Sequence, residues 1–173
     1  TNRGVVDLKK DQYDQAISDF TKALEINPRH MEAYSDRGIT YAKKGQLDQA
    51  ISDFNKALEI NPRFAEAYNN RGFAYEKKGQ YDQAISDFNK ALEINPTHAD
   101  AYNNRGIAYA NKGQLDQAIS DLTKALEIKP RNAEAYNNRG FAYEKKGQYD
   151  QAILDCTKAL EINPRNDKAY FNR

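Results

Sequence analysis

Between residues 65 and 98 the apolar positions follow two separate helical patterns, each closed by polar punctuation. In the first stretch, AEAYNNRGFAYEKK, Tyr68, Gly72 and Tyr75 recur at three- and four-residue steps, which places them on one helix face. Lys77 and Lys78 end that stretch and Gly79 follows. Cations in a last turn complement the helix dipole, and a glycine just beyond supplies a left-handed stop. In the second stretch, QYDQAISDFNKALEIN, Tyr81, Ala84, Ile85, Phe88, Ala91 and Leu92 form a wider apolar stripe, the mark of an amphipathic helix. Asp82 falls in its first turn, where the dipole favours an anion, and Pro96 blocks any continuation. The predicted unit is helix, tight turn, helix, short loop.

The same unit recurs along the chain. The five prolines, Pro28, Pro62, Pro96, Pro130 and Pro164, are each 34 residues apart. The nine glycines fall into two series with the same step, one from Gly4 to Gly140 and one from Gly45 to Gly147. A 34-residue helical hairpin repeated in tandem resembles the tetratricopeptide repeat. The resemblance is carried by Tyr68, Arg71, Gly72, Tyr75, Ala84, Phe88 and Pro96 and their counterparts, with Tyr for the family's usual Trp and Arg for its usual Leu. It implies an all-α fold, a right-handed superhelical α-solenoid of antiparallel helix pairs whose first helices line a concave surface. It covers residues 1–173 as a single array. Residues 31–64, 65–98, 99–132 and 133–166 are complete repeats, 1–30 an incomplete divergent one, and 167–173 the start of a further one. In the divergent unit Asp7 replaces the Tyr and Asp11 the turn glycine, so its first helix is expected to fray. No polar capping helix closes the array, which suggests a piece of a longer array or ends covered by neighbours.

A second period of 68 residues overlies the first. Ile39, Ala42 and Leu47 return as Ile107, Ala110 and Leu115, whereas Phe73, Glu76 and Tyr81 return as Phe141, Glu144 and Tyr149. Residues 65–96 and 133–164 differ only at Ser86/Leu154, Phe88/Cys156 and Asn89/Thr157, a mark of tandem duplication or of an idealised sequence.

Composition narrows the function. Lys and Arg total 26 against 25 Asp and Glu, so no global field draws the chain to nucleic acid or to an anionic membrane. The apolar fraction of 39% suits a thin core in which every helix keeps a wet face. There is no apolar run long enough for a membrane span and no signal-peptide layout. The single cysteine, Cys156, excludes an internal disulfide framework; it fits a cytoplasmic setting, as it also fits exported repeat proteins. It reads as a small buried hydrophobe. His30 and His98 occupy equivalent loops with no acid or thiol at ligand spacing, so neither a metal nor a cofactor is expected. No nucleophile–base pair or phosphate loop is present, and no enzyme activity is expected.

Packing and binding roles divide the remaining recurring positions. Gly72 allows close helix approach, with Ala84 expected across from it and Tyr68 and Tyr75 filling the space on either side. Arg71 lies at the edge of the apolar face, about 60° from Tyr68. Antiparallel pairing sets it level with Asp87, and the same holds for Arg37 with Asp53, Arg105 with Asp121 and Arg139 with Asp155. Each pair reads as a partly buried ion pair fixing helix register; the other reading is an arginine row for anionic ligands.

The helix face opposite the tyrosines is the expected groove. It carries Asn69, Asn70, Phe73 and Lys77, then Asn103, Asn104 and Ile107, then Asn137, Asn138, Phe141 and Lys145. An amide offers donors and an acceptor, as a peptide backbone does, so a ladder of Asn can hold an extended chain without reading its sequence. The alternative is that these amides bond only to water or to neighbouring side chains. Phe73, Phe141, Ile39 and Ile107 read either as apolar spots for ligand side chains or as packing against the next repeat. The lysines with Glu66, Asp100 and Glu134 make a groove of mixed sign, which favours peptide over nucleic acid. Similar asparagine ladders occur in repeat glycosyltransferases and co-chaperones. The resemblance stops short of the clamp that grips chaperone C-terminal tails. Where that clamp needs lysines the chain has Ser35, Asn69 and Asn103, or the acids Glu66, Asp100 and Glu134, and an apolar Phe or Ile stands at its second Asn. The expected function is a scaffold for a protein or peptide partner, not for nucleic acid or membrane. The alternatives are head-to-tail self-assembly through the incomplete terminal repeats, or a non-catalytic targeting arm of a larger enzyme.

Overall fold

The computed structural model describes the backbone of residues 2–164 and the side chains of residues 12–164. The start of the further repeat at 167–173 lies outside the described residues. Within them are α1 (Asn2–Ile26), α2 (Met31–Lys43), α3 (Leu47–Ile60), α4 (Ala65–Lys77), α5 (Tyr81–Ile94), α6 (Ala99–Asn111), α7 (Leu115–Ile128), α8 (Ala133–Lys145) and α9 (Tyr149–Ile162), with no strand among the described residues. Helices adjacent in sequence pack as antiparallel neighbours: α2 on α3, α4 on α5, α6 on α7 and α8 on α9 form the hairpins, and α1, α3, α5 and α7 pack on the hairpin that follows.

Each hairpin turn is closed by glycine. Gly45, Gly79, Gly113 and Gly147 have φ between 73° and 78°, a backbone state that costs glycine nothing. At the first turn the Gly45 N–H donates to the Ala42 carbonyl and the Gln46 N–H to the Tyr41 carbonyl, both at 2.9 Å, so the orphan carbonyls of α2 are satisfied. In the divergent first unit this position is Asp11. The separate, fraying first helix expected there is not an element of the fold: α1 runs unbroken for 25 residues. With neither a left-handed residue nor a proline between Asn2 and Ile26, nothing stops the helical ladder.

The inter-repeat loops are also local chemistry. After α3 the Asn61 side-chain oxygen accepts from the Arg63 N–H at 3.0 Å, turning the chain around Pro62. After α7 the equivalent residue is Lys129, whose Nζ instead reaches Asp100 of the preceding hairpin at 2.9 Å. His30 lies in the loop before α2, where its Nδ1 accepts from the Ala33 N–H at 3.4 Å.

The core is a thin series of small clusters between successive helices. One holds Ala84, Phe88 and Ala108 with Tyr75 and Ile85; the next holds Ala91, Leu92 and Ala101 with Tyr68 and Tyr102. Tyr68 also packs with Ala57, Leu58 and Ala67, so it joins two layers. The nearest atoms facing Gly72 belong to the Phe88 ring, one turn beyond Ala84. A Cβ at Gly72 would stand 2.8 Å from Phe88 Cε1, and one at Gly38 would stand 2.8 Å from Phe54 Cε1. The large ring is the reason: it reaches over one turn and fills the space the missing Cβ leaves. At Gly106 and Gly140, which face Leu122 and Cys156, the Ala118 and Ala152 carbonyls stand 3.2 and 3.3 Å from the position of a Cβ.

First helices also touch along the array, α2 with α4, α4 with α6 and α6 with α8, and no comparable series joins the second helices among the described residues. The array therefore closes in on the side of the first helices and opens on the other, and α2, α4, α6 and α8 line its inner face.

Candidate functional site

The Arg–Asp pairs lie between the two helices of every complete hairpin. Arg71 Nε and Nη2 donate to the two carboxylate oxygens of Asp87 at 2.7 and 2.6 Å. Arg37 binds Asp53 in the same bidentate way at 2.7 and 2.8 Å, Arg105 binds Asp121 at 2.6 and 2.7 Å, and Arg139 binds Asp155 at 2.7 and 2.8 Å. The four aspartates are buried. The remaining Nη1 reaches back to the previous repeat, to Thr21, Asn55, Asn89 and Thr123 in turn at 2.9, 2.6, 2.6 and 3.0 Å. Each guanidinium also lies over the tyrosine one turn earlier, as Arg71 does over Tyr68 at 5.5 Å. The hydrogen bonds to Asp53, Asp87 and Asp155 hold Arg37, Arg71 and Arg139 above the ordinary arginine value against the opposing effect of burial. At Arg105 burial is the largest single influence and pulls downward, and the bond and charge of Asp121 outweigh it. These cations are committed to structure on three sides. The acceptors at positions 21, 55, 89 and 123 were not foreseen, although their 34-residue step and Thr/Asn identity were visible.

The asparagines divide into two rows. Asn69, Asn103 and Asn137 are buried, whereas Asn70, Asn104 and Asn138 are half-buried on the inner face. They bond chiefly to one another. Asn104 Nδ2 donates to Asn69 Oδ1, and Asn138 Nδ2 to Asn103 Oδ1, both at 3.1 Å. Within each repeat Asn69 donates to Asn70 and Asn103 to Asn104 at 3.4 Å. The result is a continuous amide ladder across the first helices from α4 to α8. Each amide can donate twice and accept twice, so Asn104 keeps one N–H and one lone pair for another molecule. The ladder starts at Asn70, because α2 has Ser35 and Asp36 at the equivalent places. Asn70 accepts from Asn69 and donates to no described side chain.

Phe73 is 39% exposed, and Phe141, Ile39 and Ile107 are half-buried on the same inner face. Lys77 lies over Phe73 at 4.9 Å and Lys145 over Phe141 at 5.1 Å. A cavity of about 560 Å³ opens between α2 and α4, lined by Ile39, Ala42, Lys43, Asn70, Phe73 and Lys77 among others. A smaller one of about 50 Å³ lies at the 68-residue equivalent between α6 and α8, lined by Ile107, Ala110, Asn111, Leu122, Asn138 and Phe141. Acids cluster at the N-terminal ends of the first helices (Glu32, Glu66, Asp100, Glu134) and lysines at the C-terminal ends of three of them (Lys43, Lys77, Lys145). The groove therefore has one anionic rim and one cationic rim.

Cys156 is fully buried, and desolvation, with Asp155 and Glu144 nearby, pushes its thiol up from the usual value, which suits an inert packing residue. No group of three His, Cys, Asp or Glu side chains among the described residues is placed to hold a metal ion. No helix among them is long and apolar enough to cross a membrane.

Comparison with known proteins gives one consistent likeness. Family models described as tetratricopeptide repeat match residues 65–98 and 133–166, and 88–120; one described as TPR repeat matches 4–45, 38–79 and 108–147. A crystal structure of MamA is 34% identical and superposes with a TM-score of 0.79, covering 92% of this chain and 93% of that one. TTC0263, a thermophilic TPR protein of Thermus thermophilus, is 28% identical with a TM-score of 0.78, covering 98% and 93%. The first TPR of Spaghetti (RPAP3), bound to the HSP90 peptide SRMEEVD, is 29% identical with a TM-score of 0.66, covering 68% and 93%. No curated protein sequence matches the chain.

Proposed function

Because the chain belongs to the tetratricopeptide-repeat family, we propose that it is a non-catalytic scaffold holding an extended segment of a partner protein along the inner face of α2, α4, α6 and α8. The observation that carries this reading is the amide ladder. Asn is a poor helix former, yet it occupies two adjacent mid-helix positions in three successive repeats. Half-buried amides with spare donors and acceptors, fixed in orientation by their neighbours, suit a peptide backbone laid across them. Phe73, Ile107 and Phe141 offer apolar contacts beside the ladder, and Lys77 and Lys145 offer charge. With repeats at 31–64, 65–98, 99–132 and 133–166, the Asn pair recurs in the last three, and the lysine joins it in the second and fourth.

The tail peptide bound by the RPAP3 domain is not the ligand proposed. Ser35, Asn69 and Asn103 lack the charge to hold a terminal carboxylate, and Phe73 and Ile107 add no polar donor.

An Asn70→Ala/Asn104→Ala/Asn138→Ala variant tests the groove. At about 1 kcal/mol per lost hydrogen bond the three together weaken a groove-bound segment roughly a hundredfold. Pull-down with the parent chain beside the variant reads this directly: partners lost only with the variant are groove ligands, and identical capture sinks the ladder.

Head-to-tail association is a second reading, and α9 favours it. Tyr149 is 66% exposed and Ile153 43%, whereas their equivalents Tyr81 and Ile85 are half-buried where α6 packs on α5. Another repeat laid on α9 would cover them. Sedimentation over a wide concentration range is expected to show association that Tyr149→Ser/Ile153→Ser weakens; a strict monomer at high concentration removes this reading.

A further inference from the structure

The groove is not uniform, and its irregularity follows the 68-residue period. At the α4–α6 junction Glu76 accepts from Asn111 Nδ2 at 3.3 Å, and the two long polar side chains bridge the space between the helices. At the α2–α4 junction the equivalent residues are Ala42 and Lys77. The small Ala42 cannot bridge, and the cavity of about 560 Å³ opens there, within the usual range for ligand pockets. At α6–α8 the residues are Ala110 and Lys145, but Asn111 takes the place of Lys43 and the space shrinks to about 50 Å³.

The α2–α4 cavity is also distinct in its chemistry. Its apolar wall is Ile39, Ala42, Leu47, Phe54 and Phe73, and its polar edge holds Lys43, Lys77 and Asn70. Lys43 makes no ion pair with a described residue, and Lys77 is shared between Glu76 at 3.1 Å and the Phe73 ring. Asn70 donates to no described side chain, because Ser35 and Asp36 interrupt the ladder before it. No carboxylate lines the cavity; Asp36, the nearest acid in sequence to Ile39, is exposed outside it. The polar edge thus holds one unpaired lysine, Lys43, and a spare Asn70 N–H beside a wide apolar wall, with Lys77 already paired to Glu76.

We propose that this cavity is the anchor point of the groove, taking a large apolar side chain of the partner that stands next to an Asp or Glu. The proposal rests on the groove reading above. The apolar side chain fills the space that Ala42 leaves open against Ile39 and Phe73, and the adjacent carboxylate receives Lys43 and the Asn70 amide. The α4–α6 junction excludes such a side chain because its own Glu76–Asn111 bridge occupies the place.

The test uses a fluorescein-labelled ten-residue peptide carrying a Phe-Asp pair in a Gly/Ser background, beside Phe-Asn and Ser-Asp versions, read by fluorescence anisotropy on the full chain. The Phe-Asp peptide is expected to bind best, with the Ser-Asp version about tenfold or more weaker and the Phe-Asn version about fivefold weaker. An Ala42→Glu/Lys77→Asn variant installs at α2–α4 the bridge the chain already accommodates at α4–α6, so its fold is expected to persist by circular dichroism. It is expected to lower Phe-Asp affinity about tenfold or more. An unchanged affinity in that variant, or no discrimination among the three peptides, overturns the anchor. If Asn104→Ala/Asn138→Ala weakens binding while the bridged variant does not, the anchor falls and the groove reading stands. A peptide whose binding responds to neither variant removes both.

Discussion

An Arg71→Leu variant is expected to unfold about 3–5 kcal/mol more easily than the parent chain, although Leu is the residue the family pattern places there. The cost comes from what is left behind. Asp87 has a side chain only 7% exposed, and Arg71 supplies both hydrogen bonds to its carboxylate. Without them a desolvated anion faces an apolar neighbour. Asn55 loses its 2.6 Å bond from Nη1 as well, so the damage crosses into the previous repeat. The pair itself need not add much net stability, because its desolvation offsets most of its attraction. Arg71→Leu/Asp87→Leu is therefore expected to recover to within about 1 kcal/mol of the parent. Urea unfolding followed by circular dichroism measures both. If Arg71→Leu alone matches the parent in midpoint and in steepness, the pair has no role in fixing the hairpin.

The second large effect is Phe88→Ala, at about 3–5 kcal/mol. The Phe88 ring is wholly buried, lies where the Gly72 side chain would have been, and packs with Ala84 and Ala108 beneath Tyr75 and Ile85. Every near neighbour is small or rigid, so little can move in to fill the space. The vacancy would sit between α4, α5 and α6, at the junction of two repeats. In a linear array each repeat is held by its neighbours alone, so the loss should also broaden the unfolding transition by uncoupling the two halves. Phe88→Cys is expected to cost less than Phe88→Ala, since the last complete hairpin already accommodates Cys156 against Gly140, whose Cβ would stand 3.0 Å from the sulfur. Equal stability of Phe88→Ala and the parent would contradict the packing described.

Repeat length, helix positions and turns were legible because they are written by local chemistry. The glycine at each hairpin turn has a positive φ, the proline follows each second helix, and the stripe from Tyr81 to Leu92 needs no partner to be recognised. The Arg–Asp register was legible for a related reason: two antiparallel helices joined by a three-residue turn leave little freedom in which residues stand level. In the divergent first unit Asp11 stands where the other hairpins have their turn glycine. This replacement removes the stop, and a single helix results.

What the sequence by itself determined is the all-α array and the face each residue takes on its own helix, because backbone hydrogen bonding and the 3.6-residue period act within one segment. Only the tertiary structure decided which neighbour covers that face. Asn69 and Asn70 are adjacent, both were assigned to the groove, and the approach of α6 to α4 buried the first while leaving the second half-exposed. The open junction at Ala42 and the closed one at Glu76 likewise depend on the gap between two helices 34 residues apart, a distance set by side-chain packing between repeats.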